Sequence, residues 1–234
     1  MTRSLLILSI ILSIALARKR IIGGSEVAIE DYPYQVDILV YGTFSGGGSI
    51  IDETHIHTAA HCVSGSSKDA YTVASGGQKV NISSITKHPE YGKPVALEND
   101  IAIITLAESL TFGLYIQPIS LPPLTCIGFG FSLRPRCWGM SSTLQAVTEN
   151  IIERAKCTTA YGRCDLRIAD GMFCVEAPGG GKSACQGDSG GPAVADGILI
   201  GIVSWGLWGG REGYPSVYTN VGYYRDWIAR VIGV

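Results

Sequence analysis

Cys185-Gln186-Gly187-Asp188-Ser189-Gly190-Gly191-Pro192 is the stretch on which the fold turns. Its serine is framed by glycines, follows an aspartate, and precedes an apolar run from Ile198 to Trp205. Glycines accept positive φ and turn sharply, so backbone N–H groups can converge beside the hydroxyl. An exposed Oγ with an oxyanion site next to it is what an acyl-transfer nucleophile requires. The competing reading is a plain turn, since Gly, Ser and Asp are common turn residues. A serine nucleophile also needs a base and an acid to orient that base.

The candidate base is His61, within Thr58-Ala59-Ala60-His61-Cys62. Small neighbours let this segment pack closely and hold the imidazole with one edge free. Alone it would read as a structural histidine. His55, His57 and His61 also carry H-x-H-x₃-H spacing, and on a strand His55 and His57 share a face that would seed a zinc site. No Cys or carboxylate pattern completes that set, so no metal and no cofactor is expected. The candidate acid is Asp100, where Glu98-Asn99-Asp100 enters the apolar run Ile101-Ala102-Ile103-Ile104. A carboxylate at the mouth of a buried strand is costly unless hydrogen-bonded. A histidine N–H would satisfy it; an ordinary loop-end aspartate is the alternative.

The 234 residues suit one large or two small domains. With 46% hydrophobic and 16% charged residues the chain is globular, not disordered. The formal net charge of −2 leaves no nucleic-acid footprint. Arg3, the apolar run Leu5 to Leu16, and Ala15-Leu16-Ala17 read as a signal peptide over residues 1–17. That run is short for a membrane span, so a secreted, extracellular protein is expected over a membrane anchor. Secretion permits disulfides, and seven cysteines leave at least one without an internal partner. Residues 1–20 hold four basic side chains and no acid, so the remainder carries 18 − 4 = 14 basic and 20 acidic residues, a formal charge of −6.

Arg18-Lys19-Arg20 stands directly before Ile21-Ile22-Gly23-Gly24, a basic cluster that reads as a processing site over 18–20 or as a juxtamembrane charge cluster. Tyr34 to Val40 and Ser49 to Ile51 are β-like, with Gly46-Gly47-Gly48 interrupting them. Residues 64–80 predict a loop or short hairpin, and Asn81-Ile82-Ser83 is a glycosylation sequon. Pro118 to Pro123 predicts a connector between two halves. The second half repeats the short-strand texture through the Cys157 to Cys174 segment and Val217-Tyr218. In the tail, Tyr224, Trp227, Ile228 and Val231 fall on one helical face, with Arg225, Asp226 and Arg230 facing out.

The settings TAAHC, NDIAI and GDSGGP, in that order, resemble the trypsin/chymotrypsin family of secreted serine proteases, as do IIGG, PYQV and SWG. The resemblance covers nearly all of 21–234. It implies an all-β fold of two antiparallel six-stranded β-barrels with a C-terminal α-helix: barrel 1 over about 21–117, barrel 2 over about 124–222, the helix over about 223–232. It implies Ser189 as nucleophile, His61 as general base and then acid, and Asp100 as the group orienting the imidazole. Gly187 and Ser189 would supply the oxyanion-hole N–H groups, and Ser204, Trp205 and Gly206 would pair with the substrate backbone. Cleavage behind Arg20 would free Ile21, whose amine would reach Asp188 and switch a zymogen on. Partners would be protein or peptide substrates and protease inhibitors, met as a monomer.

By the same resemblance the pocket floor is Ser183 and its wall includes Gly206 and Ser216. A trypsin-like pocket has an acid at the floor, so Ser183 implies an apolar, chymotrypsin-like preference. Cys157–Cys174 matches a family disulfide. Three others lack a partner: Cys62 faces Gly46, Cys185 faces Gly209, and the third meets Ala195. Trp208 and Tyr214 stand near the pocket, where either ring would fill it, and no calcium loop is expected. Two functions follow: an active endopeptidase, or an impaired protease-fold binding or inhibitory protein with an occluded pocket. Arthropod members, mite protease allergens included, comprise both kinds.

Overall fold

The structure, a computed structural model, describes residues 24–123, 132–137, 144–162, 164, 166–177, 179, 183–184, 187–207 and 213–234. The expectations for Arg20, Ile21, Cys185, Trp208 and the amino-terminal leader lie outside these residues. Among the described residues no helix is long and apolar enough to cross a membrane.

After β1 (Ser25–Glu26), the first half forms β2 (Gln35–Val40), β3 (Thr43–Ile50), β4 (His55–Thr58), β5 (Tyr71–Ser75), β6 (Gln78–Lys87) and β7 (Ala102–Leu106). These six close into a barrel in the order β2-β3-β4-β7-β6-β5. Alternation fixes its inside: Val36 and Ile38 of β2 and Val73 of β5 are buried beside Ile50, Ile56 and Ile104. The polar stretch 64–80 resolves into the β5–β6 hairpin, turned by Gly76 and Gly77 at φ +49° and +86°.

Gly46-Gly47-Gly48 do not interrupt a strand. β3 runs straight through them because other backbone approaches too closely for side chains. A Cβ on Gly47 would lie 3.1 Å from Gly191 Cα, and one on Gly48 would lie 2.9 Å from Ile56. A Cβ on Gly46 would lie 2.6 Å from Cys62 Sγ. Cys62 is a buried free thiol, so Gly46→Cys should close a disulfide across a loop of about 15 residues, but its Cβ would lie 2.8 Å from Ser189 O, so the gain should fall below the about 3 kcal/mol of an unstrained bridge. Unfolding with and without reductant, alongside titration of the Cys62 thiol, measures this; a thiol that still titrates would refute the pairing.

The second half supplies β8 (Ser132–Cys137), β9 (Gln145–Ala146), β10 (Glu149–Ile152), β11 (Met172–Glu176), β12 (Pro192–Ala195), β13 (Ile198–Trp205) and β14 (Ser216–Asn220). With β1 they form one sheet in the order β1-β9-β8-β10-β11-β14-β13-β12, and β8 also pairs with β12. That last pairing joins the ends of a six-strand run into a second ring. β1, expected with the first barrel, pairs instead with β9: Ser25 lies opposite Ala146 and Glu26 opposite Gln145.

One helix was not expected. α1 (Arg154–Gly162) buries only Cys157 and Tyr161, one turn apart, so no apolar stripe announces it. Cys157 is bridged to Cys174 of β11, with the two Cα atoms 6.2 Å apart. The Arg154 guanidinium donates to the carbonyls of Ile168, Ala169, Asp170 and Met172, tying the helix start to the following loop. The terminal helix, α2 (Arg225–Ile232), begins two residues later than expected and ends at Gly233, φ +81°. Trp227 and Ile228 are buried in one cluster with first-barrel residues, and Val231 packs against it. Arg225 does not face out: it is half-buried, and its Nε donates to Pro122 O at 2.9 Å.

Candidate active site

The two barrels touch where Gly47 of β3 meets the loop before β12. Gly47 N donates to Ser189 O at 2.8 Å, and Thr58 Oγ1 donates to Gly47 O at 2.8 Å. A Cβ on Gly190 would lie 2.3 Å from Gly47 O, so only glycine, here at φ +81°, fits. Ser189 and the His61–Cys62 segment therefore converge on the same glycines of β3.

Asp100, 1% exposed, sits just before β7. Its Oδ1 accepts the His61 backbone N–H at 3.0 Å. Its Oδ2 accepts His61 Nδ1 at 2.7 Å and Ser204 Oγ at 2.6 Å. These three donors meet the demand that a buried carboxylate be hydrogen-bonded. Burial alone would lower the His61 pKa. The hydrogen bond and charge of Asp100, with Cys62 adding, outweigh burial and hold it well above the ordinary value. Asp100 engages the ring through Nδ1. No hydrogen bond joins His61 to Ser189 among the described residues; in free enzymes this contact is often long and tightens with substrate.

Gly187 takes φ +97°. Gly190 N donates to Val203 O and Gly191 N to Asp188 O, whereas no backbone acceptor among the described residues takes the N–H of Gly187 or Ser189. Asp188 is 1% exposed beside them. The histidines of the H-x-H-x₃-H spacing are separated: His55 pairs with Asp52 at 2.8 Å and His61 with Asp100, while His57 is buried with neither ring nitrogen bonded among the described residues. Burial lowers His57 to about 3, which keeps it neutral.

At the expected pocket, Ser183 Oγ and Ser216 Oγ share a hydrogen bond of 2.7 Å, joining floor to wall. Gly206 leaves room, since a Cβ there would come only to 3.6 Å from Ser216 Cα. Trp205 meets Tyr161 of α1 edge-on at 4.8 Å. Tyr214 also packs edge-on to Tyr161, at 6.5 Å, so its ring is held in the cluster with Cys157 and Val217, on the α1 side of β14.

Three groups escaped sequence reasoning. The Ser204 side chain serves Asp100, and Thr219 Oγ1 donates to Asp100 O at 2.9 Å. Glu149 is wholly buried: Tyr218 OH donates to its Oε2 at 3.1 Å, and Oε1 has no partner among the described residues. The available signal was its place two residues before the inward Ile151 on one strand. Burial raises Glu149 to about 7, against a smaller lowering by the Tyr218 bond. A carboxyl raised on folding stays protonated when the unfolded chain has already ionised, so folding loses stability between about pH 4.5 and 7. Glu149→Gln keeps an acceptor for Tyr218 and cannot ionise. It should match the parent near pH 4 and exceed it by about 3 kcal/mol at pH 8. Denaturant midpoints at both pH values test this, and an equal gap at both would refute it.

The molecule is a two-barrel β protein in which Asp100 accepts from His61 and a glycine-framed serine lies at the junction of the barrels. The family described as Trypsin matches residues 21–228. The chain is 40% identical to Trypsin Blo t 3 of Blomia tropicalis over 227 residues, covering 89% of this chain and 84% of the other. It is 38% identical to Trypsin beta of Drosophila erecta over 225 residues, 89% and 87% of the two chains. Against the Vitellin-degrading protease of Bombyx mori the identity is 35% over 250 residues, 97% and 94% of the two. The chain belongs to the trypsin family of serine proteases.

Proposed function

We propose that the chain is a secreted serine endopeptidase that cleaves proteins or peptides through an acyl-enzyme. Ser189 attacks the carbonyl, and His61 Nε2 takes its proton and returns it to the leaving amine. Asp100 holds the imidazole and stabilises its charged form, while the N–H groups of Gly187 and Ser189 receive the oxyanion. The observation that carries this is Asp100 accepting from His61 N, His61 Nδ1 and Ser204 Oγ, which fixes the ring through Nδ1. Residues 1–17 direct export and 18–20 are removed. A fluorophosphonate label tests the reading: it should mark the processed parent at Ser189, and absence of label would reject it.

The floor of the pocket sets preference. Ser183 offers a hydroxyl where a substrate cation would need a carboxylate, and an unpaired buried cation costs several kcal/mol. Apolar side chains gain about 25 cal/mol per Å² buried. Cleavage should therefore follow Leu, Phe or Tyr at least about tenfold faster than Lys or Arg in a peptide-library digest; preferred cutting after Arg would overturn the assignment. The Ser183–Ser216 bond favours one other reading, a pocket closed by its own hydroxyls and a protein that binds without cutting. A processed chain that captures peptides yet cuts none would establish it.

A further inference from the structure

We infer that Tyr224 and Asn99 form a positioning pair for Asp100, a strut that carries the seat before α2 across to the acid of the site. The inference rests on the proposed roles of Asp100 and His61. Asn99 adopts φ +56°, a left-handed conformation unfavourable for most residues and tolerated best by Gly, Asn and Asp. Its side chain is fully used: Oδ1 accepts Tyr224 OH at 2.9 Å, and Nδ2 donates to Glu90 O at 3.0 Å and Lys93 O at 3.1 Å. Directly after it, Ile101 N donates to Asn99 O at 2.9 Å, a tight turn centred on Asp100. The direction in which Asp100 points is thus set by the backbone of Asn99, and that backbone is pinned by its own side chain.

The Tyr224 hydroxyl is seated, not merely nearby. A Cβ on Gly171 would lie 2.2 Å from it, so the chain keeps that position bare. The His88 ring meets Tyr224 at 5.4 Å and Trp227 at 5.3 Å, and His88 N donates to Ile101 O at 3.0 Å, the residue beyond Asp100. Burial raises the Tyr224 pKa, so the group is a donor across the working range. Thr219 Oγ1 holds the Asp100 carbonyl from β14. Ser204 and Thr219 thus reach Asp100 directly, and Tyr224 reaches it through one residue.

The test reads the His61 imidazole, because a strut that only supported the fold would leave that titration alone. In the processed Ser189→Ala protein, His61 is titrated by NMR with and without Tyr224→Phe. Loss of the hydroxyl should loosen Asp100 and lower the apparent His61 pKa by about half a unit or more. An unchanged titration overturns the inference whether or not the parent cuts peptides, so it is separable from failure of the proposed function. In the Ser189 protein, Tyr224→Phe should lower kcat about tenfold with KM nearly unchanged, a size that misplacement by a fraction of an ångström produces. Asn99→Gly suits φ +56° and removes the same bond from its other end. Adding Tyr224→Phe to Asn99→Gly should then cost nothing more, and additive losses would show that the two do not act as a pair.

Discussion

Ser189→Ala will lower turnover of the processed protein by about 10⁶-fold, and His61→Ala will cost nearly as much. The effects coincide because each group is useless without the other. The hydroxyl is a poor nucleophile unless a base takes its proton, and the base has nothing to deprotonate once the hydroxyl is gone. The double variant should therefore be no slower than the worse single one. What remains is the contribution of binding and of the oxyanion donors, about 10³-fold over water. Neither change should unfold the chain. His61 is one-quarter exposed, and Asp100 keeps Ser204 Oγ and the backbone N–H of residue 61 as donors when the ring is removed. Burst and steady-state kinetics on an apolar P1 substrate measure the loss. Ser189→Ala turning over at the parent rate would remove the serine from the chemistry altogether.

Cleavage after Arg20 is expected to raise activity by about 10²-fold or more. The new amine at Ile21 would meet Asp188, a carboxylate 1% exposed and one residue from the nucleophile. Disrupting a buried ion pair by removing one partner costs about 3–5 kcal/mol, and each 1.4 kcal/mol is tenfold in rate when it displaces the reacting geometry. Gly187, at φ +97°, and Ser189 flank that residue in the chain, so a shift of its backbone would carry both with it. Asp188→Asn in the processed chain should fall to the level of the unprocessed one. Equal activity before and after processing would end this account.

The candidate residues stood out because they sit in short stretches whose neighbours have little freedom, and of their expected contacts the one between His61 and Asp100 is present. Asp100 opens an apolar strand, His61 lies among alanines, and Ser189 is framed by glycines; each setting says how the residue must be held. The two barrels were implied by the resemblance, not by alternation, and β5 lies in a polar stretch that reads only as a loop or short hairpin. What sequence could not show depends on approach between distant segments. Nothing in Gly46-Gly47-Gly48 states that Gly191 and Ile56 press against them, so the run looked like a break and proved to be strand. α1 buries two side chains and is tied down by Arg154 and a disulfide, so propensity patterns carry no trace of it. Nothing around Ser204 in the sequence states that its hydroxyl reaches Asp100, a carboxylate of the other barrel, at 2.6 Å.

The pairing of β1 with β9 tethers the proposed activation. Ser25 is fixed to the second sheet, and three residues separate it from Ile21, a leash of four Cα–Cα steps and at most about 14 Å. A free amine on so short a leash is present near its anchor at millimolar effective concentration or above, without any partner molecule. Activation would then follow first-order kinetics once the peptide bond is cut and would not change with dilution. Lengthening the leash by flexible residues before Ser25 should weaken the active state gradually, by only about 0.6 kcal/mol for each doubling of its length.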